Sequence, residues 1–245
     1  MESLWEVIES GSLSVAAVMA KDAALLAAID PEDPCTLHFY DWDLPCLTYG
    51  YFIDPALHLN LDVLQSYGWQ AARRPTGGGI LFHVSDLPFS VLIPARHPSF
   101  SLNPLDNYAF INQRVAEAVA HFALPSPVPQ LLITPPFSSS KECSPFCMAT
   151  PSQYDLMIQG KKVGGAAQRR TKQGFLHQAS LSLLFPRTDI LVKVLRNHKS
   201  VLKGMKEQTY CLLNEEASIK ELQKGRVKLK ALLKTHLTQR ERHLG

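Results

Sequence analysis

Two glycine-rich segments and one cysteine carry the chemistry this sequence offers. The first segment, Arg73-Arg74-Pro75-Thr76-Gly77-Gly78-Gly79-Ile80-Leu81-Phe82-His83, joins two cations, three glycines, an apolar run and an imidazole. Successive glycines carry no Cβ, so backbone N–H groups can close on a ligand while the arginines add positive charge. That suits an anionic or carbonyl-bearing substrate; the plainer alternative is a tight turn between strands. The second segment is Gly160-Lys161-Lys162-Val163-Gly164-Gly165-Ala166-Ala167-Gln168-Arg169. Gly164, Gly165 and Ala166 lack bulk, which lets an acyl chain or a nucleotide lie against the backbone, and Gln168 can add a polar contact. Alternation along a strand turns only one of Lys161 and Lys162 inward.

Cys147 stands between the two segments. A thiolate displaces an acyl group from a thioester at little thermodynamic cost and holds it until an amine attacks, with no ATP consumed. A free cysteine titrates near ~8.5, so this chemistry asks for a nearby cation such as Lys162. The alternative is a small buried hydrophobe, a description that fits Cys143 better.

These groups need a scaffold, and 245 residues suffice for one large domain or two small ones. With 46% hydrophobic and 19% charged residues the chain reads as globular rather than disordered. A net charge of +3 leaves a nucleic-acid role dependent on a clustered basic face. No nucleic-acid or membrane partner is expected. The five cysteines have no zinc-ribbon spacing, and the start Met1-Glu2-Ser3-Leu4-Trp5-Glu6 has no cationic leader, so reduced thiols in a cytoplasm are expected. The apolar run Val15 to Ile29 is broken by Lys21 and Asp22 and is too short to span a bilayer.

Periodicity predicts a helix over Ser14 to Ile29, then strands Thr36–Tyr40 and Cys46–Phe52 as a hairpin. A short helix over Leu61 to Tyr67 leads into a strand over Gln70 to Arg74 and the glycine turn. Ile80–Phe82 and Phe89–Ile93 read as paired strands, and Pro104 to Phe122 as a second long helix. The proline-rich stretch Leu124 to Pro151 reads as an ordered functional loop or a lid. Strands follow at Tyr154–Ile158 and Phe175–Phe185. Beyond Asn214 a basic helical tail carries Lys224, Arg226, Lys228, Lys230, Lys234, Arg240 and Arg242, read as a solvated face. Hairpin-like pairs without regular βαβ alternation argue for an α+β fold with helices against a sheet.

The order Arg-Arg-Pro-Thr-Gly-Gly, a following His, then Cys, Pro-Ser, Gly-Lys-Lys-Val and Ala-Gln-Arg resembles the lipoate-protein ligase and octanoyltransferase family, from about Thr36 to Leu184. Biotin ligases share that family's fold, but their Gly-Arg-Gly-Arg type loop is absent here. The resemblance implies a largely antiparallel mixed sheet flanked by helices. It implies a catalytic domain over 1–213, with 214–245 as the basic tail packed on it or extending from it. It also implies an acyl chain in an apolar tunnel between the sheet and the 124–151 loop.

Cys147, four residues before Pro151-Ser152, resembles the cysteine of the octanoyltransferase branch, whereas Gly79 completes a triple glycine more typical of the ATP-dependent ligases. The resemblance makes Cys147 and Lys162 catalytic, with Lys162 stabilising the oxyanion. It makes Arg73, Arg74, Gly77, Gly78, Gly79, His83, Gly164, Gly165, Ala166 and Gln168 substrate-binding, with no metal among the protein's ligands. The implied reaction moves an octanoyl or lipoyl group onto a lysine of a lipoyl carrier domain, of a 2-oxoacid dehydrogenase E2 or a glycine cleavage H protein, with acyl carrier protein as donor. The transferase needs no cofactor. The ligase alternative takes ATP and magnesium, with Arg73 and the glycine amides at the adenylate phosphate. Val84 stands where the family generally has Asp after the His, and Gln178-Ala179 where Gly then Ser or Thr is common. These departures raise a third possibility, a member that binds an acyl group or lipoyl domain without turnover.

Overall fold

The structure, a computed structural model, describes residues 5–123, 127–134 and 140–239. Residues 124–126 and 135–139 of the proline-rich stretch, together with Arg240 and Arg242, lie outside the described residues. In chain order the elements are β1 (Trp5–Leu13), α1 (Val15–Ala28), β2 (Cys35–Trp42), β3 (Cys46–Tyr49), α2 (Leu61–Ser66), β4 (Gln70–Arg73), β5 (Ile80–His83) and β6 (Asp86–Pro94). Then come α3 (Pro104–Ala123), β7 (Gln130–Leu131), β8 (Leu156–Ile158), β9 (Lys161–Arg170), β10 (Gly174–Ser182), α4 (Thr188–Val194), α5 (His198–Gln208) and α6 (Ile219–Thr238).

The strands form two sheets. The larger runs β1-β2-β6-β10-β9-β8-β7, and the smaller β4-β3-β5. Pairing is antiparallel except for β1 with β2 and β3 with β4. The fold is α+β, as the lack of regular βαβ alternation predicts.

Two pairings differ from the sequence reading. Thr36–Tyr40 and Cys46–Tyr49 do not make a hairpin; β2 pairs with β6 in the large sheet and β3 with β5 in the small one. Nor does β5 pair with β6: Ile80–His83 lies on β3, while β6 sits between β2 and β10. The reason is burial on both faces. Every residue of β6 is buried, so it takes a central position, and the short connections Asp43–Pro45 and Val84–Ser85 carry the chain between sheets rather than around a hairpin. The edge strand β1 was not foreseen, since its polar Glu and Ser residues lie at the surface and dilute its alternation.

Helices cover the large sheet on both sides. On one side α3 and α6 pack together over Phe39, Phe89, Val91, Phe175 and Leu181. Of the two arrangements expected for the basic tail, packed on the domain or extending from it, α6 adopts the first. Leu229, Leu233 and Leu237 of α6 are fully buried in that core, and Ser218 with Glu221 closes a reciprocal capping box at its start. Its basic residues are anchors as well as solvated charge: Arg226 donates to the carbonyls of Asp86 and Val84, and Lys228 to that of Phe122. On the other side lie α1, capped by Ser14, and the small sheet. The latter packs with α4, α5 and the 143–149 segment in a second core.

Candidate active site

Between the two sheets lies a cavity of about 220 Å³. Its walls come from α1 and β2 (Met19, Trp42), from the glycine turn (Gly78, Gly79), from β9 and β10, and from the segment carrying Cys147. Most of the lining surface is apolar, with Cys147, Lys162, Arg74, His83 and Gln178 among its polar groups. This is the general form of a small-molecule site.

The glycine turn and the Cys147 segment are fastened to each other. Ile80 N donates to the Pro145 carbonyl (2.6 Å), and Cys147 N donates back to the Ile80 carbonyl (3.0 Å). A methyl on Gly79 would stand 2.2 Å from the Pro145 carbonyl oxygen, so only glycine permits this approach. Gly78 adopts φ +85, and a methyl there would lie 4.0 Å from the Cys147 sulfur. The third glycine, ligase-like by resemblance, thus has a local steric reason: it seats the cysteine. In Gly79→Ala the 145–147 backbone must shift, and a displacement near 1 Å costs about a hundredfold in rate. Thioester formation at Cys147, timed by quenched mass spectrometry, is expected to slow by that order, and an unchanged rate would contradict this role.

Lys162 is 3% exposed although charged. Its ammonium pairs with Asp155 Oδ2 at 2.6 Å and donates to the Cys147 carbonyl at 2.8 Å. Asp155 is held in turn by Ser152, whose backbone N and hydroxyl both donate to Oδ2 (2.6 and 2.9 Å). Gly165 makes the space: a methyl there would meet Lys162 Cε at 2.6 Å and Nζ at 2.8 Å. Lys161 instead is exposed and donates to the Lys206 carbonyl. Asp155 falls in the Tyr154–Ile158 strand of the sequence reading but was not a site candidate; a buried lysine requires a partner, and that requirement is the signal that would have found it.

Two polar chains tie the cavity wall together. In the first, Arg74 donates to the Thr48 hydroxyl (2.7 Å) and to the carbonyls of Gly77 and Gly79 (3.0 and 2.7 Å), which fixes the turn from inside. Thr48 Oγ1 lies 2.8 Å from His83 Nε2, and His83 Nδ1 lies 2.6 Å from Asp86 Oδ2, which also accepts from the Ser180 hydroxyl. With Thr48 accepting from Arg74, its own proton is directed to Nε2, which assigns the ring proton to Nδ1, facing Asp86. Burial pushes the Asp86 carboxyl up, but His83, Ser180 and Arg226 outweigh it and hold the group below its ordinary value. The second chain begins at Asp22 of α1. This fully buried carboxylate accepts from Ser90 (2.6 Å) and Gln178 (2.7 Å) and contacts His38 Nδ1 (2.7 Å). The Gln178 amide oxygen accepts from the Thr76 hydroxyl at 2.8 Å, back in the glycine turn.

Residues 14–236 match the lipoyl protein ligase A/B catalytic domain. The chain belongs to this family. The octanoyltransferase LipM of Anoxybacillus flavithermus is 31% identical over 228 residues, covering 90% of this chain and 79% of that protein. The LipM of Bacillus subtilis is 28% identical over 238 residues, covering 90% and 83%. Among solved structures, a putative lipoate protein ligase from T. acidophilum with bound lipoic acid superposes with a TM-score of 0.68 at 22% identity, over 96% of this chain and 94% of that one. A lipoate-protein ligase A bound with ATP gives the same figures. At such identity these two structures speak for the fold.

Against the family pattern, the departure at Val84 is offset within the chain: the carboxylate facing His83 comes from Asp86, three residues on instead of one. Gln178 is likewise fully partnered, between Asp22 and Thr76. The sequence candidates divide. Cys147, Lys162, Arg74, Gly78, Gly79, His83, Gly165 and Ala166 line one cavity. Arg73, Gly77, Gly164 and Gln168 do not line it. Arg73 is exposed, its guanidinium 4.9 Å from the Tyr51 ring centre. Gly164 lets β9 approach β10, since a methyl there would meet the Ser180 carbonyl at 2.6 Å. Gln168 turns to the α3 side of the sheet, where its amide contacts His177 Nδ1 at 2.8 Å.

His177 has its own consequence. Burial drives the imidazole down to about 3 from 6.5, and among the described residues its Nε2 has no hydrogen-bond partner. Between those two pH values the unfolded chain binds a proton that the folded chain refuses. Stability is therefore full above about pH 6.5 and falls as pH drops through the window, by up to ~1.4 kcal/mol per pH unit. His177→Leu is expected to flatten the pH dependence of thermal melting between pH 6.5 and 4; an unaltered slope would contradict the assignment.

Proposed function

We propose that this chain is an octanoyltransferase of protein lipoylation, moving an octanoyl or lipoyl group to the ε-amine of a lysine in a lipoyl domain through a Cys147 thioester. The observation that carries the reading is the placement of Cys147 and the buried Lys162 on one mainly apolar cavity. The resemblance to LipM octanoyltransferases over 90% of the chain supports it.

In the first step the Cys147 sulfur attacks the carbonyl of the donor thioester. A carbon–sulfur bond forms to Cys147, the donor's carbon–sulfur bond breaks, and the proton of the Cys147 thiol ends on the departing donor thiol. In the second, the acceptor amine attacks the Cys147 thioester, the amide forms, and the amine's surplus proton returns to the Cys147 sulfur. Both steps pass through an oxyanion. The Lys162 ammonium, already donating to the Cys147 carbonyl and fixed by Asp155, is the cation this reading assigns to that charge. Gly165 and Ala167 leave the floor clear for the chain.

This route uses no ATP and no metal. The ligase alternative assigned Arg73 to an adenylate phosphate, and Arg73 stacks on Tyr51 outside the cavity lining, which favours transfer. Arg74, which does line the cavity, has its guanidinium committed to Thr48, Gly77 and Gly79. The catalytic domain runs on this reading through α6, since α6 completes the core. A cytoplasmic setting fits the free thiols of all five cysteines. Among the described residues no helix is long and apolar enough to cross a membrane. The acceptor is a lipoyl domain of a 2-oxoacid dehydrogenase E2 or a glycine cleavage H protein. Lipoate-dependent pyrophosphate exchange discriminates the two chemistries: none is expected, and exchange that persists in Cys147→Ala would establish the ligase instead.

A further inference from the structure

The helix α5 connects the candidate site to a charged surface. Its inner face buries Val201, Leu202 and Met205 in the second core. Its flank is fastened to the cysteine segment: Cys143 Sγ donates to the Ser200 carbonyl at 3.5 Å, and a methyl on Gly204 would meet that sulfur at 2.7 Å. Just past its end, the Thr209 hydroxyl donates to the Met148 carbonyl, and Tyr210 N donates to the Lys162 carbonyl at 2.8 Å. One short helix thus rests on the strand of Lys162 and on the segment of Cys147.

The outer face of α5 carries Lys199, Lys203 and Lys206, all exposed and spaced four and three residues apart, so they share one side. Lys161 joins them, its ammonium donating to the Lys206 carbonyl. Glu207, 3.9 Å from Lys203, is the acidic neighbour on the helix. Four lysines against one glutamate give this patch a charge of +3, as much as the whole chain carries net. Helix α6 is also basic, but its Arg226 and Lys228 are engaged by carbonyls and its Lys230 lies near Glu9 and Asp41; the α5 face is the basic patch whose own helix touches the Cys147 segment and the Lys162 strand. A long-range field of this kind steers an oppositely charged partner and raises its encounter rate by about 10–10³-fold.

We propose that the Lys161–Lys199–Lys203–Lys206 face is the docking surface for an acidic acyl carrier protein, which presents its thioester to Cys147. The inference rests on the transfer reading, because that reading needs a thioester donor to reach Cys147. Charge complementarity selects the partner. An acidic carrier meets ammonium groups at the rim of the interface, where they act on association more than on the bound contact.

The test uses the full chain and the variant Lys199→Glu/Lys203→Glu/Lys206→Glu, which leaves Cys147, Lys162 and their partners untouched. Acylation of Cys147 is timed from octanoyl acyl carrier protein and from uncharged octanoyl-pantetheine, and binding of the fluorescently labelled carrier is measured beside it. The expected result is a fall of at least about tenfold in carrier-driven acylation and in carrier affinity at low salt, with pantetheine-driven acylation unchanged and the wild-type salt dependence largely lost. Unchanged carrier binding would overturn the proposal. So would an equal fall with both donors, which would make α5 a support of the site, or a fall confined to transfer onto the lipoyl domain, which would assign the face to the acceptor. Salt-sensitive carrier binding by wild type that the triple variant loses, without any thioester on Cys147, would keep the surface and defeat the transfer reading.

Discussion

Replacing Cys147 with alanine is expected to remove the acyl-enzyme entirely and to lower multiple-turnover octanoylation of a lipoyl domain to the level of the uncatalysed aminolysis. Without the sulfur the donor carbonyl has no covalent acceptor within the cavity, and one difficult step is no longer divided into two easier ones. The substitution should leave the fold intact. Cys147 is only partly buried, and its backbone N–H, which fastens it to Ile80, remains. Thermal stability is therefore expected within about 1 kcal/mol of wild type. Turnover measured by mass spectrometry of the lipoyl domain checks this, and a Cys147→Ala chain that turns over at the wild-type rate would remove the covalent step from the account.

Lys162→Met is expected to have the second largest effect, of a different kind. Loss of a single preorganised donor to a developing oxyanion costs about 10²–10³-fold in rate, so both acylation and transfer should slow by that order. The same substitution leaves Asp155 buried without its cation, which costs several kcal/mol, on the order of 3–5 for breaking a buried pair. The two consequences separate in the double variant Lys162→Met/Asp155→Asn. Stability should largely return, because Ser152 can still engage the amide, while the rate stays low. Recovery of rate together with stability would mean that Lys162 serves packing alone.

How much of this was legible in the sequence depends on what each residue needs from its neighbours. Cys147, Lys162 and the glycine turn were visible because their types and order are unusual along the chain, and they do converge on one cavity. The helix over Val15–Ala28 and the start of α3 at Pro104 were legible from period and capping. The partners were not. Asp22, Thr48 and Asp86 act largely through residues distant in the chain, such as Asp22 with His38 and with Gln178, 16 and 156 residues away. Asp22 could have been suspected: a lone carboxylate on an apolar helix is a charge that must be partnered.

Strand pairing failed where local proximity competed with burial. Asp41–Pro45 looks like a hairpin turn, yet β6 is buried on both faces and draws β2 to it, which leaves β3 for the small sheet. The same displacement creates the cavity, since the site lies between the two sheets that the chain alternates between. Gly79 and Gln178, which looked out of place against the transferase pattern, are both explained by contacts: Gly79 by the Pro145 carbonyl, Gln178 by Asp22 and Thr76. Gln168 was misplaced for a simple reason. On β9 it falls on the opposite face from Ala167, and period-2 alternation sends it to His177 under α3.

The central claim is a covalent octanoyl group on one sulfur, and intact-mass spectrometry reads it directly. The full chain is mixed with octanoyl acyl carrier protein in the absence of any lipoyl domain and of ATP, quenched in acid, weighed and digested. The expected result is a single octanoyl increment mapped to Cys147, labile to hydroxylamine and discharged when a lipoyl domain is added, with one equivalent of amide formed. No increment on wild type, or an increment that persists in Cys147→Ala, would contradict the account.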